Sequence, residues 1–230
     1  MTTENVLVSW SGGKDSALAV HRIQQSSQYS VAALITTVTE AYDRVSIHGI
    51  RRSLLRQQAR SMGFPLHEVV IPPDATNEIY ESKMRAALED YAALGIRQMV
   101  FGDIFLEDVR KYRENLLAPI EMGGLYSLWG EDTSELAQEF IRLGFRTKIA
   151  VVDSQSLDAS FVGVAYDSAF LERLPPAVDP CGERGEFHTF VYDGPVFSSP
   201  IQHTNGGVVF REGRFFFCDF VPVLEGGVEQ

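Results

Sequence analysis

The residues of this chain best suited to chemistry stand near its start: Ser11-Gly12-Gly13-Lys14-Asp15-Ser16. A short apolar run, Val6 to Trp10, precedes them and an amphipathic stretch follows, so the segment reads as a turn between a strand and a helix. Two adjacent glycines let the backbone turn sharply and approach a ligand closely. The N–H groups of the turn and of the helix start then converge on one point, where the helix dipole adds partial positive charge. Ser11 and Ser16 bring hydroxyls and Lys14 a point charge, while Asp15 is suited to cap the helix or to touch a magnesium ion. Such a set suits the phosphates of a nucleotide. It is not a Walker A loop, which needs G-x-x-x-x-G-K-[ST].

Two further groups carry polar side chains at suggestive spacing. Asp103 falls at the C-terminal end of a predicted strand, where open parallel sheets bind ligands; it is placed to hold magnesium or nucleotide, or to cap the next helix. Glu107 and Arg110 lie about one helical turn apart, the spacing of a surface pair. Glu183, Glu186 and His188 then crowd three polar groups into a Gly-rich segment. On a strand Glu186 and His188 would share a face. The group could steer an amine by hydrogen bonding or proton transfer, or be a structural turn with satisfied polar groups. The two cysteines, Cys181 and Cys218, form no CxxC pair, so a disulfide framework or cysteine zinc site is not expected and Cys181 reads as buried. His21 and His48 read as packing or solvent-facing rather than metal-binding.

The elements that must position these residues follow from periodicity. Strands are expected at Val6–Trp10, Val31–Thr37, Leu66–Ile71 and Gln98–Gly102, with helices at about Ser16–Gln24, Ile50–Met62, Glu78–Leu94 and Asp108–Leu117. Alternation of this kind implies an α/β fold, a parallel sheet covered on both faces. After about residue 130 the pattern changes to a helix, Thr133–Leu143, a strand, Lys148–Val152, and antiparallel strands at Phe187–Tyr192 and Val208–Phe220 with a turn at Glu212-Gly213. The division expected is therefore residues 1–130 for the nucleotide and residues 131–230 as a smaller α+β substrate region.

Composition narrows the class. The net charge of -11 argues against a nucleic-acid partner, which needs Lys and Arg to neutralise phosphates. Arg52, Arg56 and Arg60 share a helix face and read as a solvated one. No stretch reaches the roughly 20 apolar residues of a membrane span, and no secretory signal is apparent, so a cytoplasmic location is expected.

Ser11-Gly12-Gly13-Lys14-Asp15-Ser16 resembles the SGGxDS loop of the N-type ATP pyrophosphatases, the PP-loop superfamily with its Rossmann-like, HUP-type domain. Three more segments narrow the branch: Gly102-Asp103-Ile104 with Glu107 and Arg110; Tyr126-Ser127-Leu128-Trp129-Gly130; and Cys181-Gly182-Glu183-Arg184-Gly185-Glu186-Phe187-His188-Thr189-Phe190-Val191. Together they resemble the diphthine–ammonia ligase family over nearly the whole chain. The resemblance implies ATP with Mg2+, an acyl-adenylate formed from a carboxylate, release of pyrophosphate, and attack by ammonia to give an amide and AMP. It implies diphthine on elongation factor 2, or another carboxylate, as acceptor. By motif it assigns Lys14, Asp15, Glu183, Glu186 and His188 to catalysis; Ser11 to Ser16, Asp103, Glu107 and Arg110 to the nucleotide; and Asp15 and Asp103 to the metal. Arg184 stands within the last motif as a long cation. An RNA-thiolating enzyme of the same superfamily and a nucleotide-binding module without turnover are the competing readings, and a homo-oligomer stays open.

Overall fold

The computed structural model of the chain describes residues 3–45 and 49–223, apart from the side chain of Tyr42. Val6, Leu7 and Val8 are all fully buried, which a strand achieves only when both faces of its sheet are covered. They lie in β1 (Glu4–Ser9). The chain continues through α1 (Lys14–Gln25), β2 (Tyr29–Thr39), the short β3 (Arg44–Val45), α2 (Arg52–Met62) and β4 (Leu66–Ile71). It then runs through α3 (Asn77–Ala93), β5 (Gln98–Phe101), α4 (Glu107–Leu117) and β6 (Gly123–Tyr126). β2 pairs in parallel with both β1 and β4, β1 with β5, and β5 with β6, while β3 runs antiparallel at the end of β2.

The chain thus builds outward from β1 through β2 to β4, then returns to lay β5 and β6 on the other side. The direction of winding reverses between β1 and β5, and there the carboxyl ends of the strands leave a crevice. Alternate residues of β1 sort the helices. Val6 and Val8 join Leu18 of α1 and Leu54 of α2 in one apolar cluster. Leu7 joins Met84 and Leu88 of α3 and Leu117 of α4 in the other.

The remaining chain forms α5 (Thr133–Arg142), β7 (Arg146–Asp153), α6 (Ser168–Arg173), β8 (Phe187–Asp193), β9 (His203–Arg211) and β10 (Phe215–Pro222). Its strands make a second, antiparallel sheet in the order β8-β7-β10-β9. Three residues, Glu212 to Arg214, join β9 to β10, and the first two are left-handed, φ 54 and 64, a conformation whose twist suits a hairpin. Ile149, Phe187, Phe190 and Phe220 of this sheet belong to the same cluster as Val6, Leu18 and Leu54, so the second sheet packs on the α1–α2 side of the first.

Several elements escaped the sequence pattern. β6 is Gly123-Gly124-Leu125-Tyr126, with little side chain to show a period; a Cβ at Gly124 would stand 2.7 Å from the Tyr126 ring. α6 is only six residues long and is started by Asp167, whose carboxylate accepts from Phe170 N–H at 2.9 Å. β9 begins at His203 rather than Val208, because its polar half is exposed and lacks an apolar repeat. Arg52 and Arg56 are not simply solvated: both grip Glu68 of β4, at 2.6 to 3.0 Å.

A buried polar side chain helps to join the two sheets. Gln58 of α2, fully buried, accepts from Trp10 Nε1–H at 3.1 Å and donates to the carbonyls of Gly12 at 3.1 Å and Val191 at 2.5 Å. Removing a partner from a buried polar group costs more than the bond is worth, because the group was desolvated to make it. Gln58→Leu is expected to lower stability by about 2–4 kcal/mol, since it strands several such groups at once. Urea unfolding followed by circular dichroism measures it; a loss below about 0.5 kcal/mol would mean the joint carries little.

Candidate functional site

α1 begins without a side-chain cap of its own, because Gly13 occupies the N-cap position. The cap comes from the other sheet. Thr189 of β8 accepts from Lys14 N–H at 2.9 Å, across a sequence separation of 175. Two residues on, Val191 N–H donates to the Gly12 carbonyl at 3.0 Å. The loop from Ser11 to Ser16 is therefore held from outside by β8.

Inside the loop the serines close a ring. The Ser16 hydroxyl donates to the Gly13 carbonyl at 2.9 Å, Gly13 N–H donates to Ser11 Oγ at 3.2 Å, and Ser11, whose proton is still available, meets Ser16 Oγ at 3.2 Å. The serines stiffen the turn instead of offering hydroxyl donors outward, as their sequence position had suggested. The amides of Ser11, Gly12, Asp15 and Ser16 have no acceptor among the described residues. Backed by the α1 dipole, they form a cradle for an anion. Two glycines make it possible. Gly12 is left-handed, φ 80, and a Cβ there would strike Leu55 and Gln58 within 2.9 Å. A Cβ at Gly102, just past β5, would stand 2.8 Å from the Asp15 carbonyl carbon, so glycine alone lets the start of α1 cross the end of β5.

Lys14 is buried and its Nζ holds Asp15 Oδ1 at 2.6 Å. The rings of Tyr166 and Phe187 lie 6.0 and 5.9 Å from that ammonium. Burial works against the Lys14 charge, but Asp15, then Cys181 and Glu183, outweigh it and hold the group above its ordinary range. Burial also lifts the Asp15 carboxyl, against the pull of Lys14, with Asp103 and Asp179 adding to the rise.

Glu183 joins this cluster from the second half of the chain. Its Oε1 accepts from Ile104 N–H at 2.8 Å and Phe105 N–H at 3.4 Å, which ties the motif loop to the carboxyl end of β5. Burial, then Asp15 and Asp103 against the Ile104 hydrogen bond and Lys14, pushes its carboxyl up to about 7. That is the range in which a carboxylate exchanges protons at neutral pH. His188, by contrast, is pushed down to about 4 by burial, with Lys14 adding, and is neutral.

Other residues singled out by sequence stand elsewhere. Glu186 precedes β8 and shares no strand face with His188. Its buried carboxylate accepts from Asp179 N–H and Arg184 N–H, both at 3.0 Å, and so clamps the loop between them. Asp103 gives both oxygens to Arg113 of α4, at 2.5 and 3.0 Å. It reaches the cluster as a neighbouring charge. Arg110 does not pair with Glu107. It bonds Glu114 at 2.8 Å and lies 4.7 Å from the ring centres of both Tyr126 and Trp129. Glu107 sits in the first turn of α4 with no hydrogen bond or ion pair to the loop among the described residues. Cys181 is buried, its Sγ donating to the Thr133 carbonyl at 3.3 Å, and burial pushes the thiol up to about 12. His21 meets Phe145 edge-on at 6.0 Å. His48 lies outside the described residues.

No group of three or more potential metal ligands occurs among the described residues. With Asp15 paired to Lys14 and Asp103 to Arg113, the residues do not make a cage. They fit a magnesium ion carried in on phosphates and touched by Asp15 alone, since magnesium keeps most of its waters and takes only one or two carboxylates. Gln58, Arg113, Tyr166, Asp179 and Thr189 had no role from sequence. Thr189 lay in a quoted motif, but the residue it caps is at the other end of the chain.

Residues 4–122 match the diphthamide synthase N-terminal domain family and residues 132–217 the diphthamide synthase C-terminal domain family. No curated protein matches the chain. Among solved structures, one described as a predicted subunit of tRNA methyltransferase from Methanocaldococcus jannaschii is 18% identical, with a TM-score of 0.40, covering 68% of this chain and 81% of that one.

Two outcomes are expected from this geometry. Thr189→Val keeps the shape but leaves Lys14 N–H uncapped, and should lower stability by about 1 kcal/mol while speeding hydrogen exchange at that amide. Unchanged exchange would show that the cap is idle. Glu183 has its carboxyl raised from 4.5 to about 7, so its contribution to stability is present below 4.5 and is lost as pH rises through 7. Melting temperatures of the native chain should therefore fall across that window relative to Glu183→Gln. Parallel pH curves for the two proteins would contradict the assignment.

Proposed function

We propose that this chain, which belongs to the diphthamide synthase family, is an ATP-dependent ligase that adenylates a carboxylate and passes the acyl group to ammonia. Membership of the family supports the coarser statement, an ATP-using enzyme of the PP-loop type. The observation that carries the finer one is the cradle: unfilled amides at Ser11, Gly12, Asp15 and Ser16 beside the buried Lys14.

The reaction needs a carboxylate oxygen to attack the α-phosphorus of ATP, breaking the bond to the β-phosphate and releasing pyrophosphate. Ammonia then attacks the acyl carbon, loses a proton, and AMP departs with the former carboxylate oxygen. Negative charge builds on the departing pyrophosphate. The cradle amides and Lys14 face that charge without having to reorganise, which is where such donors accelerate a reaction most. A magnesium ion bound with ATP would screen the same charge. Glu183 is suited to take the proton from the incoming ammonia, being close to half-protonated at neutral pH. Residues 1–130 serve the nucleotide in this reading and residues 131–230 the acceptor, with β8 reaching back to set the loop. The acceptor is diphthine on elongation factor 2 or another carboxylate.

The competing readings fare worse. An RNA-thiolating enzyme needs a reactive thiolate, and Cys181 is a buried, protonated thiol. A carboxyl raised to about 7 within the field of Lys14 favours turnover over a module that only binds nucleotide. No helix among the described residues is long and apolar enough to cross a membrane.

With ATP, ammonium and a suitable carboxylate, the products should be AMP and pyrophosphate, read by chromatography. ADP and phosphate would overturn the assignment. Lys14→Gln should lower AMP formation by roughly 100- to 1,000-fold, the range seen when one preorganised donor is removed. A variant that keeps its circular dichroism and its full rate would remove Lys14 from the chemistry.

A further inference from the structure

A cleft of about 650 Å³ opens between the ends of β2 and β3 and the β9–β10 turn. Four guanidiniums border it, those of Arg44, Arg184, Arg211 and Arg214, in a chain of net charge -11. Two are answered within the protein: Arg44 by Asp219 at 2.9 Å and Arg214 by Asp153 at 2.5 Å. The other two are less tied. Arg184 makes a long ion pair with Glu186, 3.7 Å, with its side chain 59% exposed and its guanidinium over the Phe105 ring at 5.2 Å. Arg211 lies 5.9 Å from the Phe217 ring and has no carboxylate partner among the described residues. Glu212 is the one acidic residue among those that line the cleft. His188 also lines it, and the Lys14 ammonium acts on the His188 ring. The inner end of the cleft therefore adjoins the phosphate loop. His188 is neutral there, so the charge of the cleft comes from its arginines.

A space of this size takes a small-molecule ligand or a group of that size. ATP does not account for its charge. Adenosine is uncharged, and the phosphates are met by the loop amides. A guanidinium is a planar fork that matches carboxylate or phosphate, and a cationic ligand would be repelled. We propose that this cleft is the acceptor subsite and that it takes a small carboxylic acid bearing a second carboxylate or a phosphate, gripped by Arg184 and Arg211, with the reacting carboxylate at the His188 end. The assignment rests on the adenylation reading, selects an acceptor other than diphthine on elongation factor 2, and gives Arg184, the long cation within the motif, a task.

The test is titration calorimetry on the full chain with four probes: citrate, 3-phosphoglycerate, the quaternary-ammonium acid carnitine, and α,β-methylene-ATP. At least one of the two anions should bind and carnitine should not. In the double variant Arg184→Gln, Arg211→Gln, both sites being on the surface, anion affinity should fall about tenfold or more while the ATP analogue stays within about twofold. Carnitine binding as tightly as the anions, no anion binding at all, or anion affinity unmoved by the double variant would overturn the proposal. So would loss of the ATP analogue in that variant, which would make the cleft the nucleoside pocket. Failure of the wild-type chain to bind the analogue is a different result: it would bring down the adenylation reading itself.

Discussion

The hydrogen bond from Lys14 N–H to the hydroxyl of Thr189 is the contact on which the rest of the site depends. A glycine at the N-cap frees the start of α1 to approach a ligand, but it leaves the helix without the side-chain acceptor that Ser, Thr or Asp would supply. Thr189 supplies that acceptor from β8. Val191 and Gln58 then fix the neighbouring Gly12 carbonyl from the same side. Two amides of the turn are thus used to build it, through Ser11 and Thr189, and others are left facing outward. A loop satisfied entirely by its own chain would have no donors to offer. One satisfied by nothing would not hold its shape.

The same joint explains why the antiparallel sheet belongs to the site. It brings the 179–186 loop over the carboxyl ends of β1 and β5, where Glu183 caps the Ile104 and Phe105 amides. Asp179 and Glu186 keep that loop rigid, accepting from Cys181 N–H and Arg184 N–H respectively. Rigidity matters because Glu183 sits among charges. Lys14, Asp15 and Asp103 all act on it, and a shift of an ångström in any of them would change its proton affinity. Arg113 contributes from the other side by holding Asp103. Half-buried like charges are tolerated here because each has a donor: Asp15 has Lys14, Asp103 has Arg113, and Glu183 has two amides.

Where the motif reading and the geometry differ, the cause is competition for the same polar atoms. Glu186 looks free in a Gly-rich segment, but a buried loop must satisfy its own amides first, and Glu186 is the acceptor within reach. Ser11 and Ser16 look like ligand donors, but a tight turn needs them to close on itself. Arg110 and Glu107 have helical spacing for a pair, yet Arg110 finds Glu114 and two aromatic rings instead.

The amino-acid sequence by itself determined the alternation of strands and helices through Leu117, the strand-loop-helix setting of Ser11 to Ser16, and the turn at Glu212-Gly213. These are local: hydrophobic period, glycine freedom and loop length act within a dozen residues. Only the tertiary structure decided that Thr189 caps Lys14, that Gln58 joins the two sheets, that Asp103 is spent on Arg113, and that Glu183 binds the amides of Ile104 and Phe105. Each of those is a pairing of buried or half-buried polar groups; Lys14 and Thr189 are 175 residues apart in sequence, Ile104 and Glu183 79. A polar side chain announces that it needs a partner, but which partner it finds depends on how the sheets stack.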